Sequence, residues 1–314
     1  MIIPLYDTTA NAVADKLVEI REVGGATALG RVLTLIVPVG ASAAEAAITA
    51  ANEASMEHPC RVLVLVDQDP SGRSALDAEI RVGGDAGASE VVVLRMRGEL
   101  TAHQATIVIP LLLPDAPNVA WWPDHLPAVP AADPVGALAT RRVTDALNSP
   151  GDVAERLARL RGGYQPGDTD LCWTRITLWR AQIAAVLDNP PYEPVEEVVV
   201  GGRADHPSVD LLAAWLGARL DCPVRIDRQG DAPALTRVEL HRPSGSVVLD
   251  RPRDSSVATL TTPGMLDRRI HLSRRSVAEC LAEELRRLDP DTVYGSVVCD
   301  DLPRLSQAEV ILHD

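Results

Sequence analysis

Two rhythms of apolar residues run through the chain. Val32-Leu-Thr-Leu-Ile-Val37 and Arg61-Val-Leu-Val-Leu-Val66 are near-continuous apolar runs rich in β-branched residues. Such runs read as strands buried on both faces, the habit of a parallel sheet. Between them, Ser42 to Glu45 reads as a capping box opening an alanine-rich helix. Ahead of both, Asp7-Thr8-Thr9 precedes a helix in which Val13, Leu17 and Ile20 share one face, with Gly24-Gly25 as its C-cap. Strand–helix–strand alternation predicts a right-handed parallel crossover. Strands at 78–82 and 90–95, turned by Gly83, Gly84 and Gly87, predict a hairpin at the sheet edge. Residues 99–113 read as a helix ending near Pro114, despite Pro110. Asn118-Val-Ala-Trp-Trp122 reads as a strand closed by Pro123, and Arg142–Asp145 as another short one.

A helix follows over 152–160, ended by Gly162-Gly163. Asp168-Thr169-Asp170 then reads as the cap of a helix from Leu171 to Leu187. Pro190, Pro191 and Pro194 stop that helix and stiffen the connector, which places a domain boundary there. Beyond it lie strands at 195–200 and 224–227 around a helix at 208–220. Alternating runs at 236–242, 246–251 and 256–262 follow, the first two joined by the turn Pro243-Ser-Gly-Ser246. A strand at 269–273 comes next, and Ser276 to Glu279 is a capping box for a helix reaching Leu288. The pattern predicts an α/β protein: an N-terminal domain (1–189) with a mostly parallel sheet and flanking helices, then a smaller mixed α/β domain (190–314).

Composition narrows the function classes. The chain has 314 residues, is 46% hydrophobic and 24% charged, contains no Phe, and has Lys16 as its one lysine. This is a globular balance with an aliphatic core anchored by five Trp and four Tyr. A net charge of −14 argues against nucleic acid and anionic membrane surfaces as partners. The arginines at 251, 253, 268, 269, 274, 275, 286 and 287 are interleaved with acids and read as a solvated face of mixed charge. The first residues lack a basic n-region, and Pro4 and Asp7 break their apolar stretch, so a cytoplasmic location is expected. The cysteines at 60, 172, 222, 280 and 299 are widely spread with no CxxC, which predicts buried free thiols.

Candidate chemistry is sparse. The seven His form no HExxH, HxH or Cys/His cluster, so no metal is expected. There is no GxSxG elbow, and Glu196-Glu197 and Asp300-Asp301 are adjacent pairs that a strand would face apart. No catalytic residue and no cofactor is expected. Val198-Val-Val-Gly-Gly202, followed by a helix and by Asp227 on the next strand, has the order of a nucleotide site, but GGRADHPS lacks GxGxxG. It supports a tight turn first and a phosphosugar or nucleotide site, using the 201–208 glycine loop, as the alternative.

The most distinctive stretch is Asp168-Thr-Asp-Leu-Cys-Trp-Thr-Arg-Ile-Thr-Leu-Trp-Arg180. On one helix Trp173, Ile176, Trp179 and Arg180 would form a stripe continued by Ile183 and Leu187, with Arg175 elsewhere. Either the two Trp pack on their own sheet, or they form a partner surface, since Trp and Arg dominate interface hot spots. Trp121-Trp122 poses the same choice: on a strand they face opposite sides, one expected in the core and one serving elsewhere. The expected partner-binding set is Trp122, Asp170, Trp173, Arg175, Trp179 and Arg180.

With His58-Pro-Cys-Arg-Val62, Asn118-Val-Ala-Trp-Trp-Pro123, Arg141-Arg-Val-Thr-Asp145, Gly167–Arg180 and Leu281-Ala-Glu-Glu-Leu-Arg-Arg-Leu-Asp-Pro290, the sequence resembles the glucose-6-phosphate dehydrogenase assembly proteins, the OpcA family. The resemblance implies a non-catalytic protein needed for assembly or full activity of glucose-6-phosphate dehydrogenase, at the entry to the oxidative pentose phosphate pathway. It transfers no catalytic residues. Photosynthetic relatives link the effect to thioredoxin and cysteines; this chain has no closely spaced Cys pair.

Overall fold

The computed structural model describes residues 1–24, 31–82 and 90–313. Gly25 and the turn glycines Gly83, Gly84 and Gly87 lie outside the described residues. The chain forms two compact units that interleave in sequence. The first comprises Met1–Pro150, Gln165–Leu171 and Ser276–Asp291, the second Gly151–Tyr164, Cys172–Arg275 and Thr292–Asp314. The boundary expected at 189/190 does not coincide with this division. Segment 172–189, with the Trp/Arg helix, falls in the second unit, and the Ser276 helix in the first.

The first unit is built on strands β1 (Ile2–Leu5), β2 (Leu33–Gly40), β3 (Cys60–Asp67), β4 (Ala75–Arg81), β5 (Glu90–Arg97), β6 (Asn118–Trp122), β7 (Arg141–Thr144) and β8 (Asp168–Asp170). Their order is β1-β4-β5-β3-β2-β6-β7-β8. From β5 to β8 all pairings are parallel, while β4 and β1 run antiparallel at one side. The 78–82/90–95 hairpin is therefore present, with β1, unread in the sequence, added outside it.

Alternation along these strands feeds two cores. Leu35, Val37, Val62, Val64, Val91, Val93 and Trp121 face one side, against helix α2 (Ala44–Ser55) and the late helix Val277–Arg286. Ile36, Leu63, Leu65, Val92, Leu94 and Trp122 face the other, against helix α1 (Ala10–Gly24) and the segment around α3 (Gln104–Val108). Because helices cover both faces, both Trp121 and Trp122 are core residues, and neither is spared for a surface role. The Ser42–Glu45 capping box does not form: Ala43 is the N-cap of α2, with no side-chain bond. The helix expected over 99–113 is broken into a 3₁₀ turn, α3 and a second 3₁₀ turn at Ile109–Leu111, where Pro110 supplies no amide hydrogen.

The second unit begins with α4 (Val153–Gly163), opened by a capping box between Asp152 and Glu155. It continues through α5 (Leu171–Thr174, its first residue in the other unit) and α6 (Thr177–Leu187). Its strands are β9 (Glu197–Arg203), β10 (Val224–Gln229), β11 (Leu235–His241), β12 (Val247–Asp250), β13 (Val257–Thr261), β14 (Arg268–His271) and β15 (Glu309–His313), with α7 (Pro207–Leu220) after β9. The order β14-β13-β12-β11-β9-β10-β15 is mixed: parallel across β9-β10-β15 and antiparallel elsewhere. The late helix of the first unit, α8 (Val277–Arg286), carries the expected Ser276–Glu279 box. The arginines read as one mixed face separate: Arg251 is buried in the second unit, and Arg286 stands exposed on α8 in the first. Cys60, Cys172 and Cys280 are buried thiols, Cys222 is half-buried and Cys299 is exposed. Among the described residues no helix is long and apolar enough to cross a membrane.

Candidate functional site

The Trp/Arg segment is not one helix. Asp168–Asp170 pairs beside β7 as strand β8, rather than capping. The helix then breaks between α5 and α6, where the Ile176 amide donates to the Trp173 carbonyl at 3.2 Å. The break folds Arg180 back over Trp173, its guanidinium carbon 3.7 Å from the ring centroid. Tyr294 lies 6.0 Å from the same ring and 6.0 Å from Tyr164, edge to face. Trp179 is covered by the Arg251 guanidinium at 5.1 Å. Arg251 donates to the carbonyls of Leu235 (2.7 Å) and Leu272 (3.0 Å); burial, with Arg274 nearby, lowers its pKa to about 10.

These rings are anchors. Trp173 is 1% and Trp179 2% exposed, so in this conformation neither has surface to offer a partner. Trp122 and Asp170 belong to the first unit and are buried too. The Asp170 carboxylate accepts from the Thr144 hydroxyl (2.7 Å) and the Ala146 amide (2.9 Å), tying down the turn after β7. Of the expected set, Arg175 and Arg180 keep partial exposure; Arg175 reaches the Cys172 sulfur at 3.7 Å, and Arg180 donates to Thr177 Oγ1 at 3.3 Å.

The 201–208 segment is not a phosphate cradle. Gly201 and Gly202 lie inside β9, paired with β10 and β11, so their backbone belongs to the sheet. The glycine at 202 is a packing requirement: a Cβ there would stand 2.8 Å from the Ala234 carbonyl oxygen and 2.9 Å from Val209 Cγ2. His206 then caps α7, its Nδ1 accepting the Ser208 amide at 3.3 Å. Burial, reinforced by Arg175, Arg203 and Arg156, lowers its pKa to about 3 and keeps the imidazole neutral. Asp210, further along α7, is buried against Arg228 at 2.6 Å.

A crevice that the sequence reading missed lies in the first unit, where the carboxyl ends of β2, β3 and β6 meet. The chain winds from β2 toward β3 and β5 on one side, and from β6 toward β7 and β8 on the other, so the β2/β6 border is the topological switch point. The crevice has a volume of about 370 Å³ and is lined by Asp67, Thr101, Gln104, Asp124, His125 and the edge of Trp122, among others. Gln104 Nε2 donates to Asp67 Oδ2 at 2.9 Å. Burial pushes the Asp67 carboxyl up, and the Gln104 bond and nearby His125 only partly offset it. Burial also acts on Asp124, but His125 Nδ1 at 2.8 Å and the Gly40 amide at 2.9 Å outweigh it and hold that carboxyl below its ordinary value. The signal available in the sequence was three polar loops, each following a predicted strand; which strands adjoin is not legible there.

No curated protein matches the chain. Among solved structures it is similar to a glucose-6-phosphate 1-dehydrogenase from Mycobacterium avium, at 12% identity and TM-score 0.42, covering 88% of this chain and 93% of that one. It is also similar to an E. coli structure of trehalose-6-phosphate bound with UDP-2-fluoro glucose, at 9% identity and TM-score 0.29, covering 62% of this chain and 64% of that one. Two family models match: the glucose-6-phosphate dehydrogenase subunit N-terminal domain over residues 51–161, and the corresponding C-terminal domain over 166–298. Together they run through both units, and the chain belongs to the OpcA family of glucose-6-phosphate dehydrogenase assembly proteins.

Proposed function

We propose that this chain is a cytoplasmic, non-catalytic assembly factor that binds glucose-6-phosphate dehydrogenase and raises its activity. The match of both family models, over residues 51–161 and 166–298, carries this reading. The site chemistry agrees with it. The segment with the most Trp and Arg spends its rings on internal packing, and the glycines at 201 and 202 serve a sheet. Free energy is then available for docking rather than bond-making.

The mechanism is a population shift. A protein that binds one oligomeric state of the dehydrogenase more tightly moves the equilibrium by its differential affinity. Taking an active form from 1:99 to 99:1 requires about 5.5 kcal/mol. Arg175 and Arg180 are the members of the expected partner set with surface to contribute. Titrating the purified chain into dehydrogenase, while following turnover and sedimentation, tests the reading. A saturating rise in turnover with a larger sedimenting species supports it. Unchanged turnover together with unchanged sedimentation rejects it.

A further inference from the structure

We propose that one end of the second unit's sheet is the face on which the dehydrogenase docks, seating an acidic side chain flanked by apolar residues on Arg242. The inference rests on the dehydrogenase reading above and adds the surface to it. Three segments meet there: the connector after α6, the turn 242–246 between β11 and β12, and the turn 262–267 between β13 and β14. The Ser244 amide and hydroxyl donate to Glu193 Oε2 at 3.1 and 2.6 Å, which ties the first turn to the connector. The two turns also adjoin each other, since a Cβ at Gly245 would stand 3.0 Å from Pro263 Cγ.

Between these segments lies a cavity of about 310 Å³, lined by Pro191, Arg242, Val247, Thr262 and Pro263 among others, with no Asp or Glu. Arg242 is 7% exposed and has no carboxylate partner among the described residues. Its Nη1 reaches the Pro191 carbonyl at a long 3.4 Å, its Nε has no acceptor, and its Nη2 donates to nothing among the described residues. A guanidinium taken out of water without a counter-ion is costly, so the cavity calls for a carboxylate, which the guanidinium fork matches. The rim assigns that carboxylate to a protein. Tyr192, Met265 and Leu266 are 78%, 60% and 91% exposed, each within two residues of the lining. Large apolar side chains held in water around a pocket mark an interface, and a free anion would leave them wet. On the stem of the second turn, Arg268 and Arg269 are exposed and form no ion pair among the described residues, while the carboxylate beside them, Asp267, is engaged by the Thr261 hydroxyl at 2.8 Å. In a chain of net charge −14, this end thus carries three uncompensated arginines and favours an acidic partner. Two copies meeting symmetrically through it would set these arginines against each other.

Sedimentation and calorimetric titration of the full chain against dehydrogenase decide it. Met265→Ser/Leu266→Ser alters only exposed side chains and is expected to weaken binding about tenfold or more. Arg242→Met is expected to weaken it similarly while leaving the free chain's melting midpoint equal or higher, because it removes an uncompensated buried charge. Arg268→Glu/Arg269→Glu should slow association. Met56→Ser, exposed on the first unit, should bind as wild type does. Should Arg242→Met misfold, the Met265/Leu266 double variant decides alone. That double variant binding like wild type, or Met56→Ser weakening binding as much, overturns the inference and leaves the dehydrogenase reading standing. A wild-type chain that does not bind dehydrogenase removes both. A chain that dimerises alone, and loses the dimer in the double variant, gives the face to a second copy and overturns the inference. So does saturable citrate binding lost in Arg242→Met while dehydrogenase binding stays unchanged.

Discussion

Replacing Glu284 with Ala should unfold the first unit far more readily than an ordinary helix substitution. Glu284 sits on α8 and pairs with Arg141 of β7, the two side chains being only 8% and 4% exposed. Arg141 otherwise donates to the Asp289 carbonyl at 3.0 Å, and its Nε has no partner among the described residues. Removing the carboxylate leaves a buried guanidinium uncompensated, a loss of about 3–5 kcal/mol. In a unit of this size each kcal/mol lowers the melting midpoint by about 2–4 °C, so a fall of about 6–20 °C is expected by scanning calorimetry. Glu284→Gln should fall between wild type and Glu284→Ala. The double variant Arg141→Met/Glu284→Leu should recover most of the loss, because it removes both charges and keeps apolar volume. A shift below about 2 °C for Glu284→Ala, or a double variant no more stable than the single one, would refute the reasoning.

Other consequences follow from the same structure. A fragment ending at residue 189 lacks α8 and so uncovers the core face that Cys280, Leu281 and Leu285 pack against; it should aggregate or bind a hydrophobic dye strongly, and a monomeric, dye-silent fragment would contradict this. His206 is neutral in the folded state down to about pH 3 but takes a proton near 6.5 when unfolded, so its contribution is intact above 6.5 and lost as pH falls from 6.5 toward 3. The loss is about 1.4 kcal/mol per pH unit, and His206→Asn, which keeps a cap, should flatten that part of the urea-midpoint profile. Gly202→Ala should cost about 1–3 kcal/mol in urea unfolding by forcing a Cβ against the Ala234 carbonyl oxygen; a neutral result would mean the strand shifts freely. Trp173→Ala should cost about 3–5 kcal/mol whether or not dehydrogenase is present, and an intact, stable variant with lost dehydrogenase binding would return Trp173 to the role of a contact residue.

The sequence by itself determined the local elements whose cause is local. The near-continuous apolar runs at 33–37 and 62–66, rich in β-branched residues, have no polar face to show water, so they had to be strands of a sheet covered on both sides. Ser276 and Glu279 satisfy each other's backbone amides without help from elsewhere, so that helix start was legible from four residues. The family motifs were legible for the same reason, being contiguous. Only the tertiary structure decided what those elements pack against. Asp168-Thr-Asp has the side chains of an N-cap, yet it became β8 because β7 offered an unpaired edge and Thr144 a donor for Asp170. Helix α8 joined a sheet more than a hundred residues away because its apolar face, with Cys280, Leu281 and Leu285, completes the core on that side, and Glu284 meets the charge of the buried Arg141. Trp122, Trp173 and Trp179 read equally well as surface or core from sequence, since burial is a property of neighbours that come from distant parts of the chain. The crevice at the β2/β6 border has the same origin: strand order, set by global packing, brings Asp67, Gln104 and Asp124 together.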